Sequence, residues 1–198
     1  NKYIKDQHNW NVKIGYFGSL YEGRGIEFIS ELAKYNQDKL FMIFGSHKSS
    51  FFSKKNMKFY GRISHSNALK IMKCVDILIM PYQNKVSIGQ NNHDTSMWMS
   101  PLKMFEYMSS KTPIISSDHE VLKEVLTNRQ NAILCKYNDI NDWNKAINKL
   151  SNDNILSSKL SNNAYNDFIQ KYTWNIRAKR IIKFFKKNND FSNTTSFN

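Results

Sequence analysis

The sequence has little cysteine, proline and glycine, and it has no long apolar run. Its 198 residues include two cysteines, three prolines and seven glycines. Two cysteines far apart in the chain provide neither a disulfide framework nor a metal-binding cluster. No apolar stretch approaches the roughly 18 residues of a membrane-spanning helix, and the N-terminal NKYIKDQHNW lacks a signal peptide's apolar core. These absences favour a globular, cytoplasmic protein in which Cys74 and Cys135 are buried thiols.

Acidic residues are scarce relative to basic ones. There are 16 Asp and Glu against 29 Lys and Arg, which gives a formal net charge of +13. Such an excess is found in proteins that bind nucleic acid, anionic membrane surfaces or phosphorylated ligands. The lysines are spread along the chain, and no basic helix carries interleaved aromatic residues, so a composition bias is the simpler explanation. We expect no nucleic-acid partner, whereas peripheral contact with anionic lipid at the inner face of the membrane stays open.

Short apolar runs alternate with longer amphipathic segments. The runs predict strands at residues 12–18, 39–45, 57–61, 75–81, 113–117 and 131–135. The other segments predict helices at residues 25–36, 65–73, 101–110, 119–127, 140–151, 154–171 and 174–187. Because the strands are apolar on both faces, this alternation predicts an α/β fold: a Rossmann-like, doubly wound parallel sheet of about six strands with C-terminal helices. We expect one domain at residues 12–187, after a linker remnant at 1–11 and before a disordered tail at 188–198.

The turns that follow the strands carry the candidate site, because ligands of such sheets bind at the carboxyl ends of the strands. Three of the first four turns begin with glycine, at Gly18, Gly45 and Gly61. Glycine lets the backbone approach a ligand closely. These turns therefore predict a shared ligand-binding edge.

The first turn, GSLYEGRG, is a candidate phosphate loop. Ser19 offers a hydroxyl group, Arg24 offers a forked cation, and the helix after Gly25 offers free backbone amides. The turn matches neither the GxGxxG pattern nor the Walker pattern, and the second strand lacks a terminal acidic residue. The sequence therefore argues against a nicotinamide or ATPase function.

The segment SPLKMFE opens a second helix with an unusual charge. Ser100 is a good N-cap and Pro101 suits the first helical position, which places Lys103 in a first turn that favours anions. An external diphosphate between the Lys103 ammonium and the free amides of this turn, including that of Leu102, explains the placement. Glu106, one turn further, can accept hydrogen bonds from two neighbouring hydroxyl groups of a ribose. We therefore predict a site for a nucleotide or a nucleotide sugar.

Four segments resemble the C-terminal half of a family 4 glycosyltransferase: FGSLYEGRGIEFI, FYGRISHSNALKIMKCVDILIMPY, SPLKMFEYMSSKTPIISSDHEVLKEVL and KYTWNIRAKRI. The resemblance covers about residues 12–185. It implies a GT-B fold in which this half binds the sugar nucleotide and a separate N-terminal half binds the acceptor. It also implies retaining transfer from a nucleoside diphosphate sugar to a glycan or lipid-linked acceptor. Because no acceptor half precedes the first strand, we expect this chain alone to bind the donor and to catalyse little.

The resemblance assigns roles to residues of the turns. The family's loop glycine and its neighbour correspond to Gly18 and Ser19, although the neighbour is often arginine in the family. The family's phosphate-binding cation corresponds to Arg24. The turn of Arg62 and Ile63 corresponds to the place where the backbone meets the nucleobase.

The paired-glutamate motif of the family is half present. Its second glutamate, which holds the ribose, corresponds to Glu106, whereas its first, which contacts the donor sugar, falls on Trp98. The resemblance leaves Asp94, or Ser100 and backbone groups, to replace that first glutamate.

Charge stabilisation is the catalytic task that falls to this half. Arg24, Lys103 and two helix N-termini are expected to stabilise the leaving diphosphate. No Asp-x-Asp motif is present to hold a metal, so neither a metal nor another cofactor is expected. Two alternatives remain: a non-catalytic module that uses the same nucleotide site, and a basic nucleic-acid-binding domain indicated by charge alone.

Overall fold

The computed structural model describes residues 10–46, 54–88 and 91–192 of the chain. These residues contain eight strands: β1 Val12–Phe17, β2 Lys39–Phe44, β3 Met57–Phe59, β4 Ile77–Met80, β5 Ser87–Ile88, β6 Asn91–Asp94, β7 Ile114–Ser117 and β8 Ile133–Cys135. Six of them form one sheet in the order β3-β2-β1-β4-β7-β8, and every pair in it is parallel. The predicted doubly wound sheet of about six strands is confirmed.

The helices of the described residues are α1 Ile26–Tyr35, α2 His65–Met72, α3 Leu102–Ser109, α4 Glu120–Lys123, α5 Ile140–Asn152, α6 Asn154–Asp167 and α7 Trp174–Ser192. A π-helical turn, Phe168–Tyr172, joins α6 to α7. The helix predicted at 119–127 contains only the short α4, and α7 runs past the predicted end at residue 187. Residues 1–9 of the predicted linker and 193–198 of the predicted tail lie outside the described residues.

Both faces of the sheet are covered by helices. Successive residues of β1 and β2 point to opposite faces, as strand geometry requires. Phe17 and Met42 belong to one apolar core, which α2 and α3 cover. Ile14 and Phe41 belong to the other core, where α1 and α5 pack and Trp143 is fully buried. Burial on both faces explains why the strands are continuous apolar runs instead of alternating ones.

The strand order reverses between β1 and β4. From β1 the chain proceeds outward through β2 and β3, and it then returns to β4 on the other side of β1. In doubly wound sheets a ligand crevice lies outside the carboxyl ends of the two strands at such a reversal. Gly18 and Pro81 directly follow these two strands, so the predicted glycine turn lies at the crevice.

The segment between β4 and α3 contains a hairpin that the sequence did not predict. Its strands, β5 and β6, pair antiparallel with Ser87 opposite Asp94. Both strands are short and the second is polar, so they lack the apolar pattern that marks the strands of the main sheet. The segment lies beside the crevice, because the amides of Gln83 and Ser87 donate to the carbonyl oxygens of Gly23 and Glu22 at 2.9 and 3.2 Å.

One expected buried thiol is exposed. Cys135 is buried in β8 as expected, whereas Cys74 is exposed. Cys74 follows the last turn of α2, where its thiol donates to the Lys70 carbonyl oxygen at 3.2 Å. The expectation was wrong because β4 begins only at Ile77, so that Cys74 closes a helix at the surface. Within the described part of the chain, no helix combines the length and apolar character that crossing a bilayer requires.

Candidate functional site

Three glycine turns lie side by side at the carboxyl edge of the sheet. The amide of Gly18 donates to the carbonyl oxygen of Phe44 at 2.9 Å, and the amide of Gly45 donates to that of Gly61 at 3.0 Å. A β-carbon on Gly45 would stand 2.0 Å from the carbonyl oxygen of Gly18, so any other residue would force the first two turns apart. The turns therefore form one continuous backbone surface.

Helix α3 brings its first turn to this surface. Pro101 is its N-cap, with φ −71° and ψ 115°, and no side chain caps the helix. The predicted N-cap, Ser100, lies one residue outside, because the extended ψ of Pro101 delays helical geometry until Leu102. Proline has no side-chain acceptor, so the amides of Leu102 and Lys103 stay available. The side chain of Leu102 is exposed, and Lys103 lies in the first turn as predicted.

The Lys103 ammonium lies between two tyrosine rings. Its Nζ is 4.2 Å from the ring centroid of Tyr16 and 4.9 Å from that of Tyr82. None of the described residues forms a hydrogen bond or an ion pair with it. Burial lowers the pKa of Lys103 well below its ordinary value of 10.5; Arg24 lowers it further and Glu106 partly opposes the change. The ring faces stabilise the cation, but they leave its charge without a counter-ion.

Arg24 meets the same tyrosine from the hairpin side. Its Nη1 donates to the Tyr82 hydroxyl at 3.3 Å, its Nη2 donates to the Ser87 carbonyl oxygen at 3.4 Å, and its Cζ lies 5.3 Å from the Tyr82 ring centroid. Its Nε is buried and has no partner among the described residues. Burial raises the pKa of Tyr82 to about 12 although Arg24 opposes this, so the phenol is neutral. Arg24 and Lys103 thus both contact the ring of Tyr82, and the neutral phenol does not compensate the charge of either.

The acidic residue of the site is engaged elsewhere. Glu106 lies one turn after Lys103 on α3, and its Oε1 is 2.8 Å from Nε2 of His65. No hydrogen bond joins Oε2 of Glu106 to any described residue. Among the described residues, no carboxylate is bonded to either Arg24 or Lys103, so two cations lie close together and repel each other. One oxygen of Glu106 stays open on the same helix.

Arg62 and Ile63 lie in the turn between β3 and α2, at the same edge of the sheet. The side chain of Arg62 is exposed, whereas that of Ile63 is partly buried against the core beneath α2 and α3. Ser64 caps α2 by accepting from the amide of Asn67 at 3.4 Å. The turn therefore presents an exposed cation shortly before His65, the residue that contacts Glu106.

Asp94 and Ser19 play local roles. Oδ1 of Asp94 accepts from the amides of Val86 and Ser96 at 3.1 and 2.9 Å, and these bonds lower the pKa of its carboxyl group. Asp94 therefore fixes the loop after the hairpin. The carbonyl oxygen of Ser19 accepts a hydrogen bond from the Tyr16 hydroxyl at 2.9 Å. The side chain of Ser19 is exposed. Trp98, where the family has its first glutamate, is 81% exposed.

The sequence reasoning missed three tyrosines and a histidine. Tyr16 and Tyr82 flank Lys103, and Tyr107 accepts from the amide of Phe17 at 2.8 Å, which ties α3 to the end of β1. His65 engages Glu106. The sequence could have indicated Tyr16 and Tyr82, because both lie near the ends of buried strands. A buried tyrosine hydroxyl needs a hydrogen-bond partner, and such partners lie at the edge of the sheet. Over the described residues, no cluster of three or more His, Cys, Asp and Glu side chains is arranged to bind a metal.

Sequence comparison gives a family. The family described as glycosyl transferases group 1 matches residues 5–167 of the chain. A protein named as an uncharacterized glycosyltransferase, MJ1069 of Methanocaldococcus jannaschii, is 23% identical over 200 residues, which cover 94% of this chain and 48% of that protein. The chain thus spans about half the length of this curated relative.

Solved structures share the fold. Anabaena Alr3699/HepE, solved in complex with UDP, superposes with a TM-score of 0.77 at 13% identity, covering 94% of this chain and 52% of that one. The C-terminal domain of the group 1 glycosyl transferase LpcC from Francisella tularensis gives a TM-score of 0.68 at 20% identity, covering 87% and 92%. The chain therefore belongs to the glycosyl transferases group 1 family, and its sheet has the Rossmann-like architecture of GT-B enzymes.

Proposed function

We propose that this chain binds the donor of a retaining glycosyltransferase, a nucleoside diphosphate sugar, and stabilises the diphosphate as it leaves. The observation that carries the proposal is the cation pair on Tyr82. Arg24 and Lys103 contact the same ring, and neither is bonded to a carboxylate of the described residues. Two uncompensated cations in a partly buried crevice favour a doubly charged ligand over a neutral one.

Backbone groups supply the rest of the diphosphate site. Helix α3 starts without a side-chain cap, and so does α1, whose N-cap Gly25 has φ 85°. Uncapped N-termini present amides to anions. Gly18 lies against the Lys103 ammonium, so a phosphate held by Lys103 also meets the glycine turn.

The remaining groups fit the other parts of the donor. We place the ribose at Glu106, whose Oε2 is open, and the base at the backbone of Arg62 and Ile63. The sugar lies beside the loop that carries Asp94 and Trp98. Structures of HepE with UDP and with UDP-glucose support a nucleotide sugar as the ligand class.

The chemistry assigned to this half is electrostatic. The bond between the anomeric carbon and the diphosphate oxygen breaks, and its electron pair stays on that oxygen. The acceptor hydroxyl oxygen bonds to the same carbon with retained configuration, and its proton passes to the leaving diphosphate oxygen. Arg24, Lys103 and the two helix N-termini stabilise the negative charge that develops on the diphosphate, so the proposal requires no metal.

The acceptor belongs to another part of the enzyme. We infer that a glycan or lipid-linked acceptor is bound by a domain outside these 198 residues, since the chain covers 48% of its curated relative and 52% of HepE. The chain alone is then expected to bind the donor with little turnover.

A titration tests the function. UDP, GDP, ADP, the matching nucleosides and a short oligonucleotide are titrated into the chain at two salt concentrations. We expect selective binding of one nucleoside diphosphate, with its nucleoside bound far more weakly. Binding of the oligonucleotide alone, with a steep salt dependence, would contradict the proposal in favour of a nucleic-acid-binding domain. Donor binding without turnover in the full-length enzyme would indicate a non-catalytic nucleotide module.

We further propose that the protein works at the cytoplasmic membrane face, with α7 against anionic lipid. Trp174, Ile181 and Phe185 recur on one side of the helix and are exposed. No Asp or Glu occurs from residue 174 to residue 189. Over residues 174–186, where side-chain exposure is described, the exposed cations of the helix are Arg177, Lys179, Arg180, Lys183 and Lys186. A helix with an apolar side and a basic side is suited to the interface of an anionic bilayer.

A further inference from the structure

We propose that His65 is a positioning residue for Glu106: it holds one carboxylate oxygen so that the other meets the donor ribose. The inference rests on the proposed role of Glu106 in donor binding. It assigns a task to a residue at which the sequence showed no binding signal. The contact joins residues 41 positions apart in the chain, with Nε2 of His65 2.8 Å from Oε1 of Glu106.

Both partners sit on well-anchored helices. His65 is the first residue of α2, whose Ile71 and Met72 are buried in the core. Glu106 lies on α3, which is anchored by its own buried residues, among them Met104 and Tyr107. The helices therefore fix the positions from which the two side chains extend, and the contact is set by the fold.

The contact leaves the acceptors that a ribose needs. An ionised carboxylate offers about four lone-pair directions and no donor, so Nε2–H of His65 donates to Oε1 and uses one direction. Two neighbouring hydroxyl groups can donate to the remaining directions. The Glu106 side chain is 28% exposed, which keeps it accessible to a ligand. A free glutamate would lose rotamer freedom on binding, and His65 removes part of that cost beforehand.

His65 also keeps Glu106 away from the phosphate site. Lys103 precedes Glu106 by one turn, a spacing at which helix side chains interact, and the charge of Glu106 already raises the pKa of Lys103 against the effect of burial. Without His65, the carboxylate is free to move toward the ammonium and to neutralise the cation meant for the diphosphate. His65 therefore keeps the Glu106 carboxylate, which binds the ribose, apart from the Lys103 ammonium, which binds the phosphate.

Calorimetry on the intact chain tests the assignment. The ligands are the nucleoside diphosphate that binds in the titration above and its 2′,3′-dideoxy analogue. His65→Ala is expected to lower the affinity for the diphosphate by about three- to tenfold, the range of one hydrogen bond. The affinity for the dideoxy analogue should stay nearly unchanged. His65→Gln, whose amide nitrogen reaches as far as Nε2, should restore binding. In a Glu106→Gln background, His65→Ala should add little.

The outcomes separate this inference from the function it rests on. The control is Asn67→Ala, an exposed residue of the same helical turn, which should leave both affinities unchanged. The positioning role is overturned, and the ribose site stands, if Glu106→Gln lowers the affinity for the nucleoside diphosphate but His65→Ala does not. The same holds if His65→Ala raises that affinity. Equal losses for both ligands overturn it as well. If Glu106→Gln leaves discrimination against the dideoxy analogue intact, the ribose site itself is refuted, and the role of His65 with it.

Discussion

A β-carbon on Gly18 would stand 2.9 Å from the ammonium nitrogen of Lys103. Gly18 also has φ 147°, a conformation that side chains rarely adopt. The glycine turn after β1 and the first turn of α3, which are far apart in the chain, therefore share one small volume. Only a residue without a side chain leaves room for the ammonium group beside the backbone of the turn.

Gly18→Ala is predicted to harm both stability and phosphate binding. The backbone conformation should cost about 1–3 kcal/mol of the free energy of unfolding, and the methyl group should displace Nζ of Lys103. Denaturant unfolding measures the first effect and calorimetry the second. Gly61→Ala is the matched control, since Gly61 has φ 67° and open space around it. It should lower stability without changing the preference for diphosphate over nucleoside; a similar loss of preference in both variants would contradict the prediction.

Arg24→Ala and Lys103→Ala should each weaken the binding of the nucleoside diphosphate by about 1.5–3 kcal/mol, the range of a charged hydrogen bond. The matching nucleoside lacks the phosphates, so its weaker binding should hardly change. Calorimetry with both ligands measures the difference. Lys73→Ala removes an equal charge from an exposed position and should have little effect. Equal losses for nucleoside and diphosphate would remove both cations from the phosphate site.

Lys103→Met should stabilise the protein while it weakens diphosphate binding as Lys103→Ala does. The wild-type ammonium is withdrawn from solvent without a bonded carboxylate, and methionine fills a similar volume without that charge. We expect a gain on the order of 1 kcal/mol in the free energy of unfolding. Thermal or denaturant unfolding of the ligand-free proteins measures it. A large loss of stability would show that the contacts of the ammonium with Tyr16 and Tyr82 outweigh its desolvation.

The stability gain should depend on pH with a defined sign. Burial lowers the folded-state pKa of Lys103 below 10.5, so above that folded pKa the unfolded chain binds more protons than the folded one. Wild-type stability therefore rises with pH between the folded pKa and 10.5, and the advantage of Lys103→Met shrinks over that window. Tyr82, with a pKa of about 12, titrates above this window.

The fold was predictable because local and global signals agreed. Strands such as KLFMIF are apolar at every position after Lys39 and become buried on both faces, and glycines follow three of them. The position of Lys103 in the first turn of a helix was also predicted and is confirmed, and the proposal of an anion site starts from it. These features depend on residues that are neighbours in the chain, so the sequence displays them directly.

The rest of the site depends on contacts across the sheet. The ring of Tyr82 could be placed on Arg24 and Lys103 only once β1, β4 and α3 were known to meet, and the contact of His65 with Glu106 joins two separate helices. The hairpin β5–β6 escaped detection because its strands carry no apolar alternation. Ser100 failed as an N-cap because Pro101 adopts an extended ψ. Each depends on tertiary packing, which periodicity does not report.

Anionic vesicles should bind the chain through α7. We expect co-sedimentation with vesicles that contain phosphatidylglycerol, little with pure phosphatidylcholine, and a decrease as salt rises. Lys179→Glu with Lys183→Glu reverses two exposed charges of the helix and should abolish the binding. Lys54→Glu with Lys55→Glu, in the turn before β3, is the control for net charge. Equal losses in the two double variants, or binding that ignores lipid charge, would refute a role for α7.

Donor binding should take up a proton at Lys103. In the free protein, burial and the neighbouring Arg24 lower the pKa of the ammonium, and a bound diphosphate should raise it again because an adjacent anion favours the charged form. Between the two pKa values, binding therefore draws a proton from the buffer. Calorimetry in two buffers with different ionisation enthalpies measures that proton. The pH should lie well above the phosphate pKa of about 6, so that the ligand itself does not titrate.

Lys103→Arg keeps a cation that stays charged, so it should bind without proton uptake. Uptake that persists in this variant would assign the proton to another group, and its absence in the wild type at every pH up to 10.5 would contradict the proposed contact between Lys103 and the diphosphate.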